Sequence, residues 1–269
     1  MLEIDRTAFS FKLKDIWWSI GPYDIEGYDR ISFHSCEKSV NLPGFKRREF
    51  STLIIDLNEP LETIWKKMDK SSCRYAINRS VKDGVKISKN TRYDEFLDME
   101  QSFRRMKGLQ MDVLGFDILK RYGTLFIAEY DGELLGGQFY LNDKIHMRWL
   151  LGSSRRLEVN KEKATLIGNA NRLLMWEAIK YAWEMDIKEF DFGGYYTGSD
   201  PLDPRTAINF FKKSFGGTLK LKYLYRKESV VFKMGMKIYS LKSHSVKIQT
   251  SIIKLLDKIK QILYVTILS

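Results

Sequence analysis

A lysine set among phenylalanines and followed by two glycines is the first candidate for chemistry. The stretch is Asn209-Phe-Phe-Lys-Lys-Ser-Phe-Gly-Gly217, and it places Lys212 directly after Phe211. A lysine cation that is held in place can stabilise the negative charge that develops in a transition state. The same pattern also describes a short helix whose phenylalanines enter the core while Lys212 carries a solvated charge. By itself, the pattern favours the second interpretation.

A second stretch, Glu189-Phe-Asp-Phe-Gly-Gly194, predicts a short strand that ends in two glycines. Gly193 and Gly194 allow a backbone or a ligand to approach the strand end closely, because neither residue carries a side chain. Asp191 is a candidate to take part in such a site. The alternative is a tight turn before the loop 200–204, with Asp191 capping that loop.

Two further segments carry arginines that can act on anions. The stretch Arg74-Tyr-Ala-Ile-Asn-Arg-Ser-Val-Lys-Asp-Gly-Val85 predicts a basic helix that stops at its Asp-Gly pair. Arg148 lies on a predicted strand, 145–151. Its guanidinium can hold a carboxylate or a phosphate, and the alternative is an exposed charge that pairs at the surface.

Strand and helix signals alternate along the chain. Asp131-Gly132 stands between two apolar runs and predicts a hairpin over residues 125–141, because its turn requires positive φ at both central residues. The elements predicted after this hairpin are a strand at 145–151, a long helix at 164–185, a strand at 189–192, a short helix at 207–214 and a strand at 218–225. This order predicts an α/β layer in which an antiparallel hairpin leads into parallel strands.

The sequence lacks the spacings of several common sites. His34, His146 and His244 are scattered, and no metal-binding or P-loop motif occurs. Cys36 and Cys73 fit no metal or redox motif, so we expect reduced cysteines, a cytoplasmic location and no metal. We also expect no signal peptide and no membrane span, because no sufficiently long apolar run is present.

The element order resembles the GNAT acyltransferase fold. Three stretches, 74–85, 190–194 and 209–217, narrow the resemblance to the Fem-type aminoacyltransferases, the enzymes of peptidoglycan cross-bridges, over roughly residues 50–225. The resemblance implies an α/β fold of tandem GNAT-like units, the first of them truncated, with a C-terminal amphipathic helical tail. The implied boundaries are 1–90 for the truncated unit, 91–228 for the complete unit and 229–269 for the tail.

The resemblance also implies roles for individual residues. Lys212 is expected beside the reacting ester, where it stabilises the anion that forms as an amine attacks, and Phe211 is expected next to it. The acceptor is expected between the two units. The other residues expected to bind substrate are Arg74, Arg148, Asp191, Gly193 and Gly194.

The expected donor follows from a departure from the GNAT pattern. Enzymes of this fold that use acetyl coenzyme A carry a Gln/Arg-x-x-Gly-x-Gly/Ala loop that holds a pyrophosphate. Here Thr165 stands where that loop has Gln or Arg, and Gly168 is the only glycine within the corresponding stretch, 165–170. We therefore expect no cofactor, a charged tRNA as donor and an amine of a cell-envelope or peptidoglycan-type precursor as acceptor. The alternatives are an acyl-thioester-dependent N-acyltransferase acting on an amino sugar, and a non-catalytic module that binds membrane or RNA.

Positive charge is concentrated at the end of the chain. Residues 230–269 carry seven lysines against one acid, a net +6 of the chain's total of +11. Ser251 to Leu268 has apolar residues on one helical face and lysines on the other. Such a helix can lie on an anionic membrane surface, which predicts peripheral contact with the inner membrane face. The alternative is a helix that packs on the first unit.

Overall fold

The computed structural model describes residues 1–8, 10–108 and 116–242. They form two compact units, Ser51–Lys220 and Met1–Phe50 together with the described part of Leu221–Ser269. The boundaries implied by the resemblance, near residues 90 and 228, stay a prediction about the GNAT-like repeats. The helical tail over Ser251 to Leu268 lies outside the described residues.

Ten strands and seven α-helices occur in the described residues, together with a π-helical turn at Lys70–Arg74 and a 3-10 turn at Arg155–Leu157. The strands are β1 (Leu2–Ala8), β2 (Phe11–Trp17), β3 (Arg30–Cys36), β4 (Lys46–Asp56), β5 (Lys86–Lys89), β6 (Gly123–Tyr130), β7 (Glu133–Asn142), β8 (His146–Ser154), β9 (Glu189–Tyr195) and β10 (Thr218–Glu228). The helices are α1 (Leu61–Lys67), α2 (Tyr75–Lys82), α3 (Tyr93–Met106), α4 (Phe116–Tyr122), α5 (Lys161–Glu184), α6 (Pro204–Lys213) and α7 (Val230–Lys242).

The unit that contains the chain's first strands is built on β1, β2, β3 and the end of β10. β2 pairs with β1 in antiparallel and with β3 in parallel orientation, and β3 pairs with β10 in antiparallel orientation. Its core contains Ile16, Phe33 and Tyr225. At the start of α7, Phe232 packs on Phe11 with ring centroids 5.2 Å apart. The first turns of α7 are therefore part of this unit's core.

In the unit Ser51–Lys220 the strand order is β5-β6-β7-β8-β9-β4. Alternate residues of β6 enter two different apolar clusters because side chains of a strand point to opposite faces. Phe126 and Ala128 join a cluster with α2 and α5, whereas Leu125 and Ile127 join one with α3. Helices thus cover both faces of this sheet. The predicted hairpin is confirmed, with Asp131-Gly132 at its turn.

β8 and β9 run parallel but pair over only three residues each. The register ends at Arg148 and Asp191, although β8 continues to Ser154 and β9 continues to Tyr195. Among the described residues, the two strands share no later pair. The backbone groups that follow Arg148 and Asp191 are therefore available to line a site.

Gly137 lies beneath the ring of Phe96, in the middle of the hairpin strand β7. A Cβ atom at this position would approach Phe96 Cδ2 to 2.5 Å and Ile127 Cδ1 to 2.9 Å. The glycine is therefore required for the packing of α3 on the sheet. A register shift in the β6–β7 pairing also lies beside its neighbour Gly136, as expected for a bulge.

We expect Gly137→Ala to lower the free energy of unfolding by about 1–3 kcal/mol, because it overpacks a fully buried ring. Denaturant unfolding measures the change. The double variant Gly137→Ala/Phe96→Leu should recover part of the loss, because the smaller side chain makes room for the new methyl group. Equal effects of Gly137→Ala in both backgrounds would contradict the packing explanation.

Candidate active site

Helix α6 brings Lys212 to the end of strand β9. The helix begins with Asp203 as N-cap, whose side chain accepts a hydrogen bond from Arg205 N, and with Pro204 at its first position. Asn209 and Lys212 are buried, three residues apart on one helix face, while Phe210 is 66% exposed. Asn209 fixes the helix to the chain after β9, because its side-chain amide bonds both N and O of Tyr196.

Lys212 is a buried amine rather than a solvated helix charge. Its residue is only 5% exposed, whereas the neighbouring Lys213 is exposed. Lys212 Nζ donates a hydrogen bond of 2.6 Å to Gly194 O and lies 5.5 Å from the centroid of the Trp149 ring. One face of this amine is therefore fixed by the backbone that follows the β8–β9 pairing.

The surroundings of Lys212 change its acidity. Burial and, to a smaller extent, the nearby positive charge of Arg148 lower the pKa of Lys212 to about 8, while Asp191 opposes both effects. At neutral pH the amine remains mostly protonated, but it releases its proton far more readily than an exposed lysine does. Lys212 can thus provide a cation or a proton to a reacting group.

Arg148 and Asp191 form a nearly buried ion pair beside Lys212. Their side chains are 11% and 4% exposed, and Arg148 Nη1 donates to Asp191 Oδ2. Asp191 Oδ1 accepts from Gly193 N at 2.7 Å and from the Thr52 hydroxyl. Because both carboxylate oxygens are engaged, Asp191 positions its neighbours. Its expected direct contact with substrate stays a prediction.

The two glycines at the end of β9 differ in what they permit. Gly193 has φ +77°, and a Cβ atom there would lie 3.2 Å from Trp149 O. Gly194 has no atom within 4 Å of the place that a Cβ would occupy, and its carbonyl holds Lys212. Gly193 is therefore required by the backbone. Gly194 leaves open space next to the lysine, as expected for a residue that a ligand approaches.

Aromatic rings and a further arginine flank Lys212. Phe211 is half-buried, and its ring centroid lies 6.0 Å from that of Trp149. The guanidinium of Arg172, on α5, lies 5.2 Å from the Phe211 ring centroid. Arg74 ends the π-helical turn before α2, outside the contacts that surround Lys212.

The structure therefore brings together most of the predicted site residues. The members of this group are Arg148, Asp191, Gly193, Gly194, Phe211 and Lys212. The sequence did not point to Thr52 or Arg172, and it assigned no role to Asn209. Thr52 stands inside an apolar strand and Arg172 inside a helix, so only their tertiary contacts assign them. Among the described residues, no group of three His, Cys, Asp or Glu side chains is placed to hold a metal ion.

Comparison with known proteins identifies the fold. No family model matches the sequence, and no curated protein matches it. The solved structure of FemX superposes with a TM-score of 0.58 at 14% identity, over 80% of this chain and 74% of FemX. The C-terminal domain of a putative lysylphosphatidylglycerol synthetase from Agrobacterium fabrum gives a TM-score of 0.52 at 11% identity, over 77% and 71% of the two chains. The predicted α/β fold, of the kind found in FemX, is thereby confirmed.

Proposed function

We propose that this protein is an acyltransferase that moves an aminoacyl group from aminoacyl-tRNA to an amine of a cell-envelope precursor. The observation that carries the proposal is the buried, lowered-pKa amine of Lys212 at the point where β8 and β9 stop pairing. The shared fold supports it, because FemX and a putative lysylphosphatidylglycerol synthetase have this architecture. The name of the second protein itself describes an aminoacyl group carried on a lipid.

The transfer requires an amine to attack an ester carbonyl. A C–N bond forms, the carbonyl oxygen becomes negative, and the C–O bond to the ribose then breaks. The acceptor nitrogen loses a proton, and the ribose oxygen gains one. In our proposal, the Lys212 ammonium stabilises the developing negative charge, because it is fixed in a site of low polarity before the reaction begins.

The ion pair beside Lys212 contributes by positioning. Asp191 holds Arg148 and the turn at Gly193 through the contacts described above. This turn orients the Gly194 carbonyl, which accepts the hydrogen bond from Lys212. Binding both reactants in this fixed frame lowers the entropic part of the barrier, and no described residue has to act as a general base for that contribution.

A transfer assay with two donors tests the proposal. The protein is incubated with charged, radiolabelled tRNA and, separately, with acyl coenzyme A, each with amine acceptors that include a peptidoglycan precursor. Label in the acceptor from tRNA alone is the expected result. Transfer from the thioester alone would indicate that the donor is an acyl thioester and not a charged tRNA. No transfer from either donor would indicate a binding module.

The basic tail is proposed as a peripheral membrane contact. No helix in the described part of the chain combines the length and the apolar character that crossing a bilayer requires. The four lysines of residues 243–269 are expected to contribute roughly 1 kcal/mol each at an anionic surface. We therefore expect the full chain to co-sediment with phosphatidylglycerol vesicles at low salt and to dissociate as salt increases.

A chain that ends at Lys242 is the control for this prediction. It keeps Val231 and Phe232, which are buried with Phe11 and Leu13. If the full chain stays in the supernatant with anionic vesicles at low salt, the membrane proposal is wrong. Equal sedimentation of both chains would indicate that another surface of the protein, and not the tail, contacts the vesicles.

A further inference from the structure

Helix α6 has one face toward the core and one face toward the solvent. Lys212 is buried on the inward face, whereas Ala207, Phe210 and Lys213 are exposed. Phe210 lies three residues from each of the other two exposed positions, and residues at this spacing are neighbours on the surface of a helix. The outward face of α6 is therefore apolar at its centre and basic at its C-terminal end.

The loop before α6 adds a second exposed apolar side chain. Leu202 is 89% exposed, although an apolar residue just before the N-cap commonly packs against the fourth helical residue, which here is the exposed Ala207. The backbone of this loop is nevertheless held in place, because Leu202 N donates to Asp200 Oδ1 at 2.9 Å and Asp203 N donates to Asp200 O at 3.3 Å. Leu202 is therefore kept in the solvent by a hydrogen-bonded turn.

Exposed lysines stand at the C-terminal end of this helix. Asp69 N donates to Ser214 O at 2.9 Å, so the segment between α1 and α2 lies against the end of α6. Lys70, which follows Asp69, is exposed, as is Lys213. Neither lysine forms an ion pair among the described residues. Two positive charges thus lie near the apolar side chains without acidic partners of their own.

The wider surroundings of α6 are basic as well. Residues 61–82, from α1 to α2, contain six basic and two acidic residues, and residues 200–213 contain three basic and two acidic residues. Their combined net charge of +5 equals the net charge of the whole chain before residue 230. A partner of negative charge is therefore favoured on this side of the unit Ser51–Lys220.

We propose that Leu202, Phe210, Lys213 and Lys70, here called the α6 surface, dock on an anionic lipid surface. Apolar side chains enter the boundary between head groups and acyl chains, while the lysines remain at the anionic head groups. Nucleic acid fits this surface less well, because bases stack on aromatic rings and the most exposed side chain, that of Leu202, is aliphatic.

Docking through α6 would bring the catalytic lysine close to the lipid. A helix with its side chains is about 10–12 Å across, so Lys212 on the inward face would lie within about one helix diameter of the interface. An acceptor amine carried on a lipid could then reach the site without leaving the bilayer. This role in presenting the acceptor rests on the proposed function, whereas the docking itself does not.

A fluorescent label tests whether the α6 surface enters lipid. Both native cysteines are buried, so Leu202→Cys supplies one accessible thiol for an environment-sensitive dye. Asp186→Cys, at an exposed position before the opposite end of β9, is the control. The labelled full chains are mixed with phosphatidylglycerol vesicles, phosphatidylcholine vesicles or an RNA hairpin. We expect the emission at position 202 to rise at least about twofold with phosphatidylglycerol alone, and the emission at position 186 to stay unchanged.

Co-sedimentation measures what Phe210 contributes. Phe210→Ser in the full chain should lower the partition coefficient for phosphatidylglycerol vesicles by about tenfold, because the variant lacks the apolar ring that enters the lipid. Met185→Ser, which removes an apolar side chain that is 58% exposed at the end of α5, should change it by less than about twofold. All chains keep the tail, so its contribution is the same in each. Both substitutions are at exposed positions, so the melting temperature should change little.

Several outcomes would overturn the docking proposal. It is wrong if the label at position 202 does not respond to phosphatidylglycerol vesicles, or if Phe210→Ser and Met185→Ser partition alike. An equal response to phosphatidylcholine would contradict the anionic partner. A response to the RNA hairpin without one to vesicles would assign the α6 surface to nucleic acid. Insertion by a protein that transfers nothing would support the surface and contradict the proposed function.

Discussion

Lys212→Ala is expected to reduce the transfer rate by about 10²–10³-fold, the loss seen when a fixed group that stabilises transition-state charge is removed. The lysine is buried, is held by the Gly194 carbonyl and has a pKa close to neutrality. No other lysine is placed beside Gly194 among the described residues, so alanine leaves the developing anion without that cation. Single-turnover kinetics with saturating donor would measure the chemical step.

Lys213→Ala is the matched control, since Lys213 is adjacent in sequence but exposed. Its transfer rate should stay within about twofold of the wild type, because surface charges contribute little. Equal losses in both variants would indicate a general charge effect on tRNA binding. An unchanged rate in Lys212→Ala would remove Lys212 from the mechanism.

The lowered pKa of Lys212 also makes the free energy of unfolding depend on pH. Its pKa is about 8 in the folded state, against 10.5 for an unperturbed lysine. Between these values the unfolded state binds more protons, so the free energy of unfolding of the wild type rises with pH across this window. Lys212→Met should therefore be more stable than the wild type below pH 8, by up to roughly 3 kcal/mol, and this advantage should decrease towards pH 10.5. Loss of the hydrogen bond to Gly194 O reduces the gain.

Asp191→Ala is expected to lower the free energy of unfolding by about 3–5 kcal/mol, because it leaves Arg148 as a buried charge without its carboxylate. The substitution also deprives Gly193 N and the Thr52 hydroxyl of an acceptor. Each kcal/mol corresponds to about 2–4 °C in the melting temperature for a chain of this size class. Thermal unfolding therefore gives a clear measurement.

Asp186→Ala is the matched control for Asp191→Ala. The Asp186 side chain is 86% exposed and pairs with Lys188 at the surface, so its loss should change stability by less than about 1 kcal/mol. The double variant Asp191→Leu/Arg148→Met should recover much of the stability, since it removes both buried charges. If Asp191→Ala and Asp186→Ala have the same melting temperature, the Arg148–Asp191 ion pair does not stabilise the folded site.

The elements of the second half of the chain could be predicted from sequence because their signals are local. Asp131-Gly132 between apolar runs determines a hairpin through the turn's own backbone requirement. The long apolar periodicity of α5 predicted a helix at 164–185, and the structure begins it at Lys161, where Asn160 caps it. The start of α7 could not be placed in the same way, because the burial of Phe232 depends on Phe11, a residue more than two hundred positions away.

The same distinction between local signals and tertiary contacts applies to the candidate site. The sequence determined which residue types stand at 190–194 and 209–217, and so which side chains were available for acyl transfer. Only the tertiary structure decided that Lys212 is buried and Lys213 exposed, because that depends on the direction in which α6 presents each side chain to β9. The pKa of Lys212 likewise depends on burial and on Arg148. Desolvation and charge proximity are properties of packing in space, and no local sequence pattern encodes them.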